Sequence, residues 1–244
     1  MKGVVLAGGT GSRLRPLTHI INKHLLPVGD MPMIQHALEK LAEAGIEDVL
    51  VITGKQSAGL YLDYLGGGDA LGIKLTYKIQ EKAGGIAEAL ALAEDFIRPG
   101  EKFVVILGDN LFKDSLVQMI DAFRQQEEGA MVILKEVPDP SRYGVATIKD
   151  GRIEQIEEKP AQPQTRYAVT GIYLYDATVF DIIKTQAPSA RGEMEITDVN
   201  NVYAASGKLS HRFFTNWWID AGTHESLFQA NLLVRREDTP CKPC

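Results

Sequence analysis

The chain has 244 residues and a formal net charge of −6, long enough for one substantial α/β core or two small ones. Its acidic balance argues against broad electrostatic capture of nucleic acid or of an anionic membrane surface. No stretch is apolar for long enough to cross a bilayer, and no basic segment followed by an apolar one opens the chain, so the expected setting is the cytoplasm, without membrane or nucleic-acid partners.

The first expected element is a strand over 3–7, where Val4, Val5 and Leu6 suit a buried position. It runs into Gly8, Gly9 and Gly11, which let the backbone turn and approach an anion closely, with Arg13 and Arg15 adding positive charge. A Walker A loop would need Gly-Lys-Ser/Thr, and a dinucleotide fingerprint would need glycine where Leu14 stands. A loop for the phosphates of a nucleoside triphosphate remains. Ile34, Ala37, Leu38, Leu41 and Ala42 then recur at helical spacing, as do Ala87, Leu90, Ala91 and Ala93, between strands expected at 48–53, 73–79 and 103–107. Such alternation describes a parallel sheet covered by helices.

From about 130 the pattern changes to strands near 131–135, 144–148 and 167–175, with Asp150-Gly151 as a hairpin turn signal and Pro160–Pro163 as a loop. Helices are expected near 177–186, 195–206 and 223–237. One domain over 1–244 fits, ending in a tail at 239–244. Its Cys241 and Cys244 read as exposed thiols, because a zinc site would need two more ligands.

The apolar run ending at Leu107 is followed by Gly108-Asp109, which puts a carboxylate beyond the carboxyl end of a strand, where ligands collect in open α/β sheets. Asp220 follows Trp217-Trp-Ile219 in the same manner. On spacing alone each is equally a capping or turn aspartate, Asp220 for the helix starting near Thr223. The five histidines have no metal-like spacing.

Leu6-Ala-Gly-Gly-Thr-Gly-Ser-Arg13-Leu-Arg-Pro-Leu-Thr18, followed by Asn22-Lys23-His-Leu-Leu-Pro27, resembles the signature of the sugar-phosphate nucleotidyltransferases. The likeness continues in order through Leu107-Gly-Asp109-Asn, Tyr143-Gly-Val, Glu157-Glu-Lys159-Pro, Thr170-Gly-Ile-Tyr, Glu195-Ile-Thr-Asp198 and Trp218-Ile-Asp220-Ala-Gly222. It covers essentially the whole chain and points to the glucose-1-phosphate thymidylyltransferase branch.

The resemblance implies a Rossmann-like three-layer α/β sandwich with a mixed, mostly parallel central sheet. It splits the domain into a nucleotide-binding half, about 1–130, and a sugar-binding half, about 131–238. The implied reaction is attack by the phosphate of glucose 1-phosphate on the α-phosphorus of dTTP, giving dTDP-glucose and pyrophosphate, with Mg2+ held by Asp109 and Asp220. Arg13 would stabilise the leaving pyrophosphate, Lys23 would draw the reacting phosphates together, and Lys159 would hold the sugar phosphate. Leu6, Gly8, Gly9 and Gly11 would line the nucleotide, while Gln80 and Gly85 meet the base. Tyr143, Gly144, Glu158, Gly171 and Tyr173 would line the hexose, although core packing suits both tyrosines equally well. No general base is implied, since a sugar phosphate is already ionised at neutral pH.

Two departures stand out. His24 occupies a position where relatives usually carry glutamine, and Gln80-Glu-Lys-Ala-Gly-Gly-Ile-Ala-Glu88 replaces a loop that normally reads closer to Gln-Pro-Ser-Pro-x-Gly-Leu-Ala-Gln. With one methyl group worth about 1 kcal/mol, UTP stays open beside dTTP, as do other sugar 1-phosphates. Longer relatives carry a further helical segment with oligomer contacts and a regulatory site; a homo-oligomer is expected, and product feeding deoxysugars such as rhamnose for surface polysaccharides. A catalytically silent sensor would have lost the carboxylates or Arg13, and a kinase would show its own motifs.

Overall fold

The computed structural model describes residues 1–238. β1 (Lys2–Ala7) leads through the glycine loop to the short pair β2 (Pro27–Val28) and β3 (Met31–Pro32), then α1 (Met33–Glu43), β4 (Asp48–Gly54), α2 (Ala58–Leu65), β5 (Lys74–Gln80), α3 (Ile86–Ala91) and β6 (Lys102–Leu107). There follow β7 (Asn110–Phe112), α4 (Val117–Gln125), β8 (Ala130–Glu136), β9 (Gly144–Lys149), β10 (Arg152–Glu158) and β11 (Tyr167–Asp176). The last elements are α5 (Val179–Thr185), α6 (Ile196–Ala205), β12 (Leu209–Phe213), β13 (Trp218–Asp220) and α7 (His224–Asp238).

The main sheet runs β10-β9-β11-β6-β1-β4-β5, with β8 also on β11 and β12 beyond it. β6, β1, β4 and β5 are mutually parallel, as are β8 and β12, while β11 lies antiparallel to β6 and β8. Strand alternation divides the apolar side chains between two cores. Val4 and Leu6 join Leu50, Ile52, Phe103 and Val105 on the face covered by α3, α5 and α6. Val5 and Ala7 join Val49, Val51, Val104 and Ile106 on the other, under α1, Tyr61 of α2, and α4. The result is the mixed three-layer α/β sandwich expected.

The strands expected in the first half lie within a residue or two of those found. Asp150 and Gly151 both take positive φ, 49° and 75°, as a tight hairpin turn requires. The returning strand, however, is β10, whose charged Arg152, Glu154 and Glu157 conceal buried Ile153 and Ile156, spaced three apart across a register shift that breaks the alternation. β7, β12, β13, α2 and α4 also lay outside the expected elements. The register between β11 and β8 shifts between Val169 and Tyr173, and the irregularity falls at Gly171, beside the site described next.

Candidate active site

Gly11, at φ +64°, caps the turn Ser12–Leu14. Fully buried Leu14 anchors the turn, and Thr18 Oγ1 donates to the Gly11 carbonyl at 2.7 Å. Arg13 stands exposed at the loop's rim. Asn22 ties this loop to the next turn: its amide nitrogen donates to the carbonyls of Ala7 and Gly9, each at 3.4 Å. Its oxygen accepts from the His24 backbone N–H (3.0 Å), His24 Nδ1 (2.8 Å) and the Tyr61 hydroxyl (2.9 Å). An amide oxygen only accepts, so His24 carries its proton on Nδ1. Burial, followed by the Lys23 ammonium, lowers the His24 pKa to about 3; it is a neutral part of the scaffold. Lys23 passes over the bare face of Gly9, where a Cβ would stand 3.2 Å from its Cε, and pairs with Asp109.

Asp109 follows β6 at a point where Gly108 N–H donates to the Leu6 carbonyl at 3.0 Å. It then enters β7, which pairs antiparallel with β13 so that Asp220 lies opposite Asn110. The Ala221 N–H donates to the Asp109 carbonyl at 2.9 Å. The two aspartates thus sit at neighbouring ends of one ribbon. Gly222 leaves the space between them open: a Cβ there would lie 2.7 Å from Asp220 Oδ1, 3.0 Å from Arg13 Nη2 and 3.5 Å from Asp109 Oδ2. Asn110 braces the ribbon, its oxygen accepting from Trp218 Nε1 (2.7 Å) and the Gly171 N–H (2.8 Å) while its nitrogen donates to Asp109 Oδ1 at 3.1 Å. A Cβ on Gly171 would strike that amide at 2.5 Å. Burial opposes charge on Asp109, yet Lys23 and Asn110 hold it below the usual carboxylate range. Burial and the Asp109 charge push Asp220 above it. Neither is a helix cap: Asp109 precedes a strand, and Thr223 Oγ1 accepts the Ser226 N–H at 3.2 Å at the start of α7.

At one end of the cleft Gln80 closes β5, nearly buried. A Cβ on Gly8 would press on Gln80 Oε1. Gly85, at φ +108°, lies against Met194, whose backbone accepts from Ala87 N–H at 3.1 Å and donates to the Gly84 carbonyl at 2.8 Å. At the other end Glu158 accepts from the Thr197 hydroxyl at 2.5 Å and pairs with Lys159 at 3.1 Å and Arg191 at 3.3 Å. Lys159 takes a left-handed φ of 47°, its N–H donating to the Tyr143 carbonyl at 2.9 Å; strain of this kind gathers at functional sites. Tyr143, in the bend before β9, packs edge-on against Trp218, and buried Tyr173 stacks on Tyr175. A Cβ on Gly144 would approach Thr197 Oγ1 at 3.3 Å and Glu158 Oε2 at 3.5 Å.

These two ends and the carboxylates line one cavity of about 560 Å³ that every nominated site residue borders except Arg15, which is exposed outside it. Sequence reasoning missed Arg191, which also borders it and pairs with Glu195 at 2.8 Å; an arginine four residues before a glutamate was the available signal. Among the described residues no group of three or more His, Cys, Asp or Glu side chains is arranged for a metal, and no helix is long and apolar enough to cross a membrane. Cys241 and Cys244 lie outside the described residues.

The profile of the family described as nucleotidyl transferase matches residues 2–237. A low-salt glycan biosynthesis nucleotidyltransferase of Haloferax volcanii is 40% identical over 236 residues, 96% of this chain and 66% of its own length, so the chain spans just under two thirds of that relative. The glucose-1-phosphate thymidylyltransferase of Neisseria meningitidis is 41% identical over 239 residues, covering 96% of this chain and 83% of that one. A Bacillus anthracis crystal structure, described as a proposed glucose-1-phosphate thymidylyltransferase in complex with a sucrose, superposes with a TM-score of 0.93 at 53% identity, covering 100% of this chain and 98% of its own. With its glycine loop, paired aspartates and fold all accounted for, this chain belongs to the nucleotidyl transferase family.

Proposed function

We propose that the chain is a glucose-1-phosphate thymidylyltransferase, transferring dTMP from dTTP to glucose 1-phosphate with release of pyrophosphate. The observation that carries this reading is the convergence of Asp109, Asp220 and Arg13 on the open space at Gly222, between a glycine loop and the Glu158–Lys159 pair. In this reading the 1–130 half serves the nucleotide and the 131–238 half the sugar phosphate, within one domain.

The donor set suits Mg2+. Asp109 and Asp220 offer hard oxygen ligands around a position with no Cβ, and a cation there would offset the burial and the Asp109 charge that together hold Asp220 above its usual range. Asp109 and Asp220 would hold the ion, which would supply charge neutralisation on the phosphates when bound. The backbone of Gly8, Gly9 and Gly11 cradles the triphosphate, near Leu6 at the end of β1. Lys23 draws the two reacting phosphates together, and the sugar phosphate oxygen attacks in line. Arg13 takes up charge on the departing pyrophosphate. Gln80 meets the edge of the base beside Gly85. Glu158 accepts sugar hydroxyls, Gly144 and Gly171 admit the ring against Tyr143 and Tyr173, and Lys159 with Arg191 binds the sugar phosphate.

As part of the same proposal the enzyme works in the cytoplasm as a homo-oligomer, its product feeding deoxysugars such as rhamnose for surface polysaccharide. The glycan-related name of the Haloferax relative supports the last point. Exposed Ile20 and Phe228 support association, to be read by light scattering. The decisive experiment is pyrophosphate release with magnesium across dTTP, UTP, CTP, ATP and GTP against glucose, galactose, mannose and N-acetylglucosamine 1-phosphates. Release with glucose 1-phosphate, greatest with dTTP, is expected. Release with UTP alone reassigns the base, and none in any pairing, or orthophosphate in its place, overturns the reading.

A further inference from the structure

Glu195 stands at the N-terminal end of α6, where the helix dipole favours a carboxylate. The chain just ahead of it is fixed by Met194, whose backbone donates to the Gly84 carbonyl at 2.8 Å and accepts from the Ala87 N–H at 3.1 Å. Glu195 Oε1 accepts three hydrogen bonds, from the Ser189 hydroxyl at 2.8 Å, Arg191 Nε at 3.2 Å and Arg191 Nη2 at 2.8 Å. Ser189 Oγ in turn accepts from the Arg191 backbone N–H at 3.2 Å. A turn makes this grouping possible: the Gly192 N–H donates to the Ser189 carbonyl at 2.8 Å and the Ser189 N–H to the Glu193 carbonyl at 2.9 Å, with Gly192 at φ +74°. One carboxylate thus grips Arg191 at its head directly and at its backbone through Ser189. The Glu195 side chain is 12% exposed against 41% for the arginine, so the anchor is the better fixed of the two.

Glu195 occupies only the Nε–Nη2 edge of the guanidinium. Nη2 also meets Glu158 Oε1 at 3.3 Å, the oxygen that Lys159 approaches at 3.1 Å, and Nη1 takes no hydrogen-bond partner among the described residues. A planar guanidinium held by one edge presents the other, Nη1–Nη2, as a fork that matches two oxygens of a phosphate. An arginine without such a hold surrenders its rotamer freedom only when the ligand arrives, and affinity falls by that cost. We infer that Glu195 is a positioning residue for sugar-phosphate binding: it holds Arg191 by one edge, so that the remaining fork is set beside Lys159 before the phosphate enters. The inference rests on the proposed function, in which Arg191 and Lys159 bind the phosphate of glucose 1-phosphate.

The test compares wild type with Glu195→Ala, Glu195→Gln, Arg191→Ala and the double variant Glu195→Ala/Arg191→Ala, each checked by thermal melting. Should the Glu195→Ala proteins not fold, Glu195→Gln takes their place. KM and kcat are measured by pyrophosphate release, varying glucose 1-phosphate and dTTP in turn. Glu195→Ala is expected to raise KM for glucose 1-phosphate by about tenfold or more, with KM for dTTP and kcat changed by no more than about twofold. Glu195→Gln, whose amide oxygen still accepts, falls between. Because Glu195 acts through Arg191, the double variant is no worse than Arg191→Ala alone. A merely structural role would raise both KM values together. That result, additive losses in the double variant, or a KM for glucose 1-phosphate that falls once a negative charge near the anion is gone, overturns the inference alone, as does an Arg191→Ala enzyme with unchanged KM. No pyrophosphate release by the wild type in any pairing overturns the nucleotidyltransferase reading and this inference with it.

Discussion

Asp109 is buried and Asp220 half-buried beside it, and Lys23 divides their behaviour: it pairs with Asp109, which stays ionised, while Asp220 is pushed up by desolvation and by the Asp109 charge. On the proposed function, Asp109→Asn and Asp220→Asn each lower turnover by on the order of 10²-fold or more, and the deficit deepens at limiting magnesium while the circular dichroism spectrum persists. Near-normal turnover in either variant at limiting magnesium removes that residue from the metal site. Glu158 carries a separate prediction. Burial opposes its charge, but the Thr197 hydroxyl, Lys159 and Arg191 hold its pKa below the ordinary 4.5. A lowered folded-state pKa adds stability above the unfolded value and loses it as pH falls through the folded one. Glu158→Gln is therefore expected to be less stable than wild type by about 1 kcal/mol near pH 7. The difference should shrink below pH 4.5, as read by urea unfolding at several pH values; a gap that persists into acid rejects the charge-based origin.

Which elements could be read from the sequence follows from how each is stabilised. β1, β4 and β6 are covered on both faces and appear as apolar runs such as Val4-Val5-Leu6 and Val104-Val105-Ile106. The hairpin after β9 announced itself through Asp150-Gly151. β7 and β13 are three residues each and exist through pairing with one another, a long-range event that no local pattern encodes. The site divides in the same way. Arg13, Lys23, Asp109, Lys159 and Asp220 were legible because their spacing matches a known signature. The meeting of the two aspartates, the Asn22 clasp and Arg191 were not, since each depends on chain segments brought together by folding. His24, standing where relatives usually carry glutamine, was legible only as a departure; its role as a buried, neutral brace depends on the fold around it.

Across the whole molecule the two halves share structure instead of abutting. β11 pairs with β6 along one edge and with β8 along the other, and the segment carrying Met194 is hydrogen-bonded to Gly84 and Ala87. Unfolding in denaturant is therefore expected to be one transition, coincident in tryptophan fluorescence, from Trp217 and Trp218, and in far-ultraviolet circular dichroism. Two separated transitions would show that the halves fold independently. The β7–β13 ribbon has a further consequence during synthesis. A ribosome delivers the glycine loop, Lys23 and Asp109 early, but β13 emerges only near the end of the described chain, and Asp220 arrives with it. On the proposed function, a nascent or truncated product would hold the phosphate cradle with one carboxylate, so half-made copies are expected to leave the cell's triphosphates unspent until the last strand has found its partner.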